Sequence, residues 1–198
     1  MIVNLDIPGW TSVTKLEYLA NMANGVPDEG WIFEVGTFCG RSAFVLAANS
    51  LPSVKITCVD IWHSNHGESL VSENYKNTLG NQDCYYSLTE CASNLEQFGS
   101  RIELVQEYSP YFHPGFTEQK PNLVFLDGSH SGKVVKQELE LYYNNLSTDG
   151  TIIIDDYKHH KYMDMTQAIH QFVSDNNIDL EVVHQGTDQS QLAVLRKL

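Results

Sequence analysis

The sequence is poor in positive charge. Twelve Lys and Arg residues stand against 25 Asp and Glu among 198, a formal net charge of −13. A nucleic-acid surface needs a clustered basic patch, and none is visible; an anionic membrane would repel such a chain. Long hydrophobic runs are missing as well. No stretch approaches the roughly 18 apolar residues of a membrane span. The opening MIVNLDIPGW lacks the basic start and apolar core of a secretory leader. The cysteines Cys39, Cys58, Cys84 and Cys91 show no CxxC spacing, so free, mostly buried thiols in a reducing cytoplasm are expected. In that setting the Asn145-Leu146-Ser147 sequon is accidental. No Pro/Ser-rich, repeated or low-complexity stretch divides the chain, which predicts a single domain over 1–198.

What is present is a core and an alternation. Hydrophobic residues make up 42% and aromatics 11%, enough to bury one sizeable interior. Leu16, Leu19, Ala20 and Ala23 recur at helical spacing, so 1–28 reads as an N-terminal helical segment. WIFEV, VKITCVD, RIELVQ, PNLVFLDG and TIIIDD read as strands. RSAFVLAAN, YYSLTECASNLEQFG, KVVKQELELYYNNL and MTQAIHQFVSDNN read as the helices between and after them. DLEVVH and QLAVLRKL close the chain as an antiparallel hairpin. The polar stretch 63–83 reads as a lid or substrate loop. Strands alternating with helices predict an α/β fold: a doubly wound, mostly parallel, seven-stranded sheet covered on both faces. In such sheets ligands bind at the carboxyl ends of the strands, near the reversal of strand order. That rule places EVGTFCG, Asp60, Asp127 with His130, and Asp155-Asp156 on one rim.

Two of these features suit a nucleotide-like cofactor. Gly36 and Gly40 flank a strand-to-helix turn, where glycine lets a ligand approach the backbone and the following helix offers free N–H groups. The same pattern also serves as a plain tight connection. Asp60 closes the second strand, where an acid can take a ribose diol or simply cap a helix. The remaining acids pose a different problem. If the strands ending in Asp127 and in Asp155-Asp156 are neighbours, three carboxylates converge, and like charges so placed raise one another's pKa or call for a cation. A hard divalent ion such as Mg²⁺ resolves this while leaving positions for substrate oxygens. The competing reading is that Asp155 or Asp156 caps the next turn.

EVGTFCGRSA resembles the first motif of class I S-adenosylmethionine (SAM) methyltransferases, in the ExGxxxGxS form of catechol O-methyltransferase and related metal-dependent O-methyltransferases. FLDGSHSGKVVKQELELYYNNLSTDGTIIIDDY resembles the bacterial group that includes macrolide-sugar O-methyltransferases. The resemblance runs from about Gly9 to Val194 and is weakest over 63–83. It implies a Rossmann-like fold in which Glu34, Gly36, Thr37, Phe38, Gly40 and Ser42 hold the methionine part of SAM. Asp60 would take the ribose. Ile61 and Trp62 would lie beside the adenosine, and Tyr108 and Ser109 near the adenine. QEYS lacks the glycine often found there, and Trp62 and Tyr108 read equally well as core aromatics. Asp127, Asp155 and Asp156 would bind Mg²⁺ and two substrate oxygens, with Asp127 also near the cofactor. His130, in LDGSH, would be the general base, since an imidazole can accept a proton at neutral pH.

The expected activity is therefore Mg²⁺-dependent methyl transfer to a hydroxyl of a small diol of sugar or catechol type. The partners are small molecules rather than nucleic acid or membrane, and the N-terminal helix offers a surface for a homodimer. A NAD-dependent dehydrogenase is disfavoured by ExGxxxG in place of GxGxxG and by the terminal hairpin. A silent SAM-binding module and a metal-independent methyltransferase are the alternatives, the second leaving Asp155 and Asp156 as surface charge.

Overall fold

Each continuous apolar run becomes a strand that feeds two cores at once. The computed structural model describes residues 1–62, 87–112, 119–183 and 190–197. Its strands are β1 (Trp31–Val35), β2 (Lys55–Asp60), β3 (Ile102–Gln106), β4 (Leu123–Leu126), β5 (Thr151–Tyr157), β6 (Leu180–Val183) and β7 (Gln191–Arg196). They form one sheet in the order β3-β2-β1-β4-β5-β7-β6. The first five are mutually parallel; β7 runs antiparallel to both β5 and β6. The expected seven-stranded, mostly parallel sheet with its terminal hairpin is the observed one.

Successive strand residues point to opposite faces. On one face Ile32, Ile56, Leu123, Phe125 and Ile153 pack under α1 (Val13–Asn24), α2 (Arg41–Asn49) and α3 (Leu88–Leu95). On the other, Phe33, Val59, Val124, Leu126, Ile152 and Ile154 pack under α4 (Gly132–Asn145) and α5 (Met163–Asn176). A strand buried on both sides has no polar face, which is why LVFL and TIII show no alternation.

Local chemistry sets the helix ends. The Ser12 hydroxyl caps α1 by accepting from the Lys15 amide, and Ser87 caps α3 by accepting from Glu90. The helix predicted over 85–99 is shorter than its pattern: α3 ends at Leu95 and tightens into a 3₁₀ segment, Glu96–Arg101. Gly99 breaks that segment at φ +54°, a conformation glycine adopts without strain. Residues 1–12 are not helical. Arg41 straps them down, its guanidinium donating to the carbonyls of Ile7 (2.5 Å), Gly9 (2.7 Å) and Leu5 (3.3 Å). The lid predicted over 63–83 lies outside the described residues. Cys39, Cys58 and Cys91 are buried free thiols. Among the described residues no helix is long and apolar enough to cross a membrane.

Candidate active site

The strand order reverses between β1 and β4, so the loops leaving them part and open a crevice at their carboxyl ends. The glycine turn lies there. Gly36 has φ +87°, and a Cβ on it would meet the Asp127 carbonyl oxygen at 2.3 Å, so no side chain fits. Phe38 also takes a positive φ, +52°. Asp60 holds it: one carboxylate oxygen accepts from the Phe38 amide at 2.8 Å, the other from the Trp62 amide at 3.2 Å. The Trp62 indole donates to the Phe38 carbonyl at 2.8 Å, and Trp10 packs at a 38° tilt on the Phe38 ring with centroids 4.4 Å apart. Asp60 is thus the clasp of the turn.

The residues expected near the adenosine differ in burial. Ile61 and Tyr108, about two-fifths exposed, line an open depression of about 410 Å³ with Gln106 and Glu107. Trp62 is buried in the core. Ser109 is buried as well, and its hydroxyl donates to Glu138.

Glu34, expected beside the methionine part of SAM, lies on β1 just ahead of the turn. It is fully buried, and among the described residues neither carboxylate oxygen has a hydrogen-bond partner; nor has the Thr37 hydroxyl. Burial pushes the Glu34 carboxyl up to about 7, although Ser42, Thr37 and Cys58 lie near enough to pull the other way.

β4 and β5 are neighbours in register, Leu126 opposite Ile154, so Asp127 and Asp155 come level at the rim. Consecutive strand residues should point apart, yet both members of the Asp155-Asp156 pair serve one cluster. A bulge between Ile154 and Tyr157 and φ +55° at Asp156 turn them together. Asp155 accepts from Lys15 Nζ at 2.5 Å and from the Asp156 amide at 2.6 Å. Asp156 accepts from the Ser190 hydroxyl at 2.8 Å and faces His130 Nε2 at 2.9 Å. Burial works to raise the Asp156 carboxyl, but the bonds from His130 and Ser190 overcome it and hold it at about 2. Burial, with the charges of Asp155 and Asp156, drives Asp127 well above the usual carboxylate range. Burial also raises Asp155, against the pull of Lys15.

Lys15, Glu138, Ser190 and Tyr162, which stacks on His130, were missed from sequence. Lys15 and Glu138 look like ordinary charges of amphipathic helices, but each falls on a buried stripe. Lys15 precedes Leu16 and Leu19, and Glu138 lies among Val135, Leu139 and Tyr142. That placement was the available signal. Ser190 carried none.

Residues 33–157 match a family model described as a methyltransferase domain. The chain belongs to that family. Solved methyltransferases share its fold. The O-methyltransferase NovP superposes with a TM-score of 0.69 at 17% identity, over 94% of this chain and 80% of that one. CalS11, a TDP-rhamnose 3′-O-methyltransferase, gives 0.61 at 18%, over 91% and 76%. An rRNA methylase from Streptococcus thermophilus gives 0.60 at 15%, over 92% and 93%. No curated protein matches the sequence.

The methyltransferase has room for the SAM that its class I fold implies. Glu34's oxygens, unpartnered among the described residues, suit the ammonium of the cofactor's methionine part. Mg²⁺ does not fit the residues as they stand. Asp155 already holds an ammonium, and a divalent ion bound at the roughly 2.1 Å that Mg²⁺ demands would lie against it. Among the described residues no group of three or more His, Cys, Asp or Glu side chains is arranged for a metal ion.

If Glu34 holds that ammonium, cofactor binding is pH-dependent. With its carboxyl raised from 4.5 to about 7, the folded apo-protein keeps a proton there that the unfolded chain loses earlier. The stability Glu34 lends is complete below about 4.5 and is lost as pH rises through 7, a change on the order of 3 kcal/mol. A bound ammonium favours the ionised form. Affinity for S-adenosylhomocysteine (SAH) should therefore rise severalfold between about pH 6 and pH 8, with proton release. Calorimetry in buffers of different ionisation enthalpy checks this. In Glu34→Gln the rise should vanish, and an unchanged slope would place the ammonium elsewhere.

Proposed function

We propose that this methyltransferase moves the methyl group of SAM to a hydroxyl of a small, sugar-type diol. The observation that carries the reading is the His130–Asp156 pair, 2.9 Å apart on the rim that the glycine turn and Asp60 share. SAM supplies, when bound, an activated methyl on a sulfonium. The protein must align an acceptor oxygen and remove its proton. Asp156 accepts from His130 Nε2 and fixes the ring, which leaves Nδ1 to take the proton of the acceptor hydroxyl. Tyr162, stacked on His130 at 4.0 Å, holds the ring plane. With SAM and acceptor bound, His130 would hold the hydroxyl's proton during the transfer and later pass it to water. Alignment of the two reactants supplies much of the acceleration.

A sugar acceptor is supported by CalS11, whose acceptor is TDP-rhamnose, and by a histidine at the base position. The net charge of −13 disfavours RNA, the acceptor class of the rRNA methylase neighbour. Mg²⁺ dependence, which the resemblance implies, is left out of the proposal because Lys15 stands on Asp155. The test is calorimetry with SAH, then incubation with SAM and a panel of free sugars, nucleotide-linked sugars and catechols, followed by mass spectrometry. One-to-one SAH binding and a single methyl added to a sugar are expected. Absence of SAH binding would sink the reading; methylation of catechols alone would replace the sugar.

A further inference from the structure

We infer that the resident cation of this site is the protein's own Lys15 ammonium, standing where metal-dependent relatives would place a divalent ion. The inference rests on the methyltransferase reading for its meaning, but its geometry stands alone. Lys15 is only 5% exposed, and its Nζ donates to Asp155 Oδ1 at 2.5 Å and to Ser190 Oγ at 2.7 Å, with Asp156 Oδ1 at 3.9 Å. Ser190 passes its own hydrogen to Asp156, which holds His130. One ammonium thus compensates the buried carboxylate directly and organises the second through a hydroxyl.

Helix stability does not account for this lysine. It lies in the first turn of α1, beside the Ser12 cap, where the helix dipole disfavours positive charge. Nor does packing, since a buried ion pair is on average no better for stability than an apolar pair of the same volume. What the ammonium does is neutralise the cluster that a metal would otherwise neutralise. The two cations exclude each other, because both need Asp155. Lys15 is therefore a positioning residue: it fixes Asp156, and through it the base, without offering an open coordination site to the substrate.

The test does not depend on turnover. Mn²⁺ is titrated into the SAH-loaded wild type and into Lys15→Met, which keeps length and helix propensity while removing the charge, and free Mn²⁺ is read by electron paramagnetic resonance. The wild type should leave the free-ion signal unchanged; Lys15→Met should remove one ion per chain. Where an acceptor is in hand, wild-type turnover should resist EDTA and that of Lys15→Met should require added Mg²⁺ or Mn²⁺. Stoichiometric binding by the wild type would overturn the inference whether or not the variant folds. So would a folded variant that binds no ion, since something other than Lys15 would then keep the metal out. SAH binding in the same samples reports separately on the methyltransferase reading.

Discussion

His130→Ala should lower kcat by about 10²- to 10⁴-fold, the range that a positioned general base contributes, and leave SAH affinity unchanged. The expectation rests on the ring's neighbours. Asp156 takes one nitrogen, Tyr162 covers one face, and the side chain is still one-third exposed, so an acceptor can reach it. Loss of the ring also removes the stacking on Tyr162, and a merely structural role would cost stability as well. Partial rescue of the rate by added imidazole separates the two, because a free imidazole restores a base but not a tethered stack. Activity at the wild-type level would reassign the base, with Asp127 the nearest candidate. Its carboxyl is raised well above the usual range by burial and by Asp155 and Asp156, so it has acid–base character of its own.

Asp60→Ala should weaken SAH binding by about 10- to 100-fold, as expected for the loss of one charge-assisted hydrogen bond of about 1.5–3 kcal/mol. The structure adds a second consequence. Asp60 also accepts from the Phe38 and Trp62 amides, and Phe38 holds a left-handed backbone that this bond helps keep in place. The apo-protein should therefore melt lower too. Asp60→Asn retains acceptor oxygen without charge and should fall between the two. Comparing melting temperature with affinity across the pair divides the effect between the ribose and the turn. Unchanged SAH affinity in Asp60→Ala would place the ribose elsewhere.

The sheet was legible because period and composition agree along the whole chain. Runs such as LVFL and TIII have no polar face, and only a strand covered on both sides tolerates that. The convergence of Asp127 with Asp155 and Asp156 was legible on the condition that β4 and β5 pair, which they do. What those acids hold was not. Lys15 meets Asp155 across 140 residues, and no local pattern announces a contact of that range. Only its place on the apolar stripe of α1 hinted that it could not be solvated. Ser190 and Glu138 belong to the same class of miss. Trp62 and Tyr108 were symmetrical in sequence, and burial alone told them apart: the indole was taken into the core beside the turn, while the phenol stayed at the mouth of the depression. The bulge at Asp156 left no mark either, since a left-handed aspartate is chosen by its bonding partners and not by its neighbours in the chain.

The strap formed by Arg41 carries one more consequence. By holding residues 5–9 it delivers Trp10 to the ring of Phe38, while Trp62 reaches the same residue's carbonyl from the other side. Two of the molecule's three tryptophans therefore bracket the turn that a cofactor would touch. Intrinsic emission should therefore respond to changes at that turn. A change in emission on addition of SAH is the expected sign of occupancy on the unlabelled native chain.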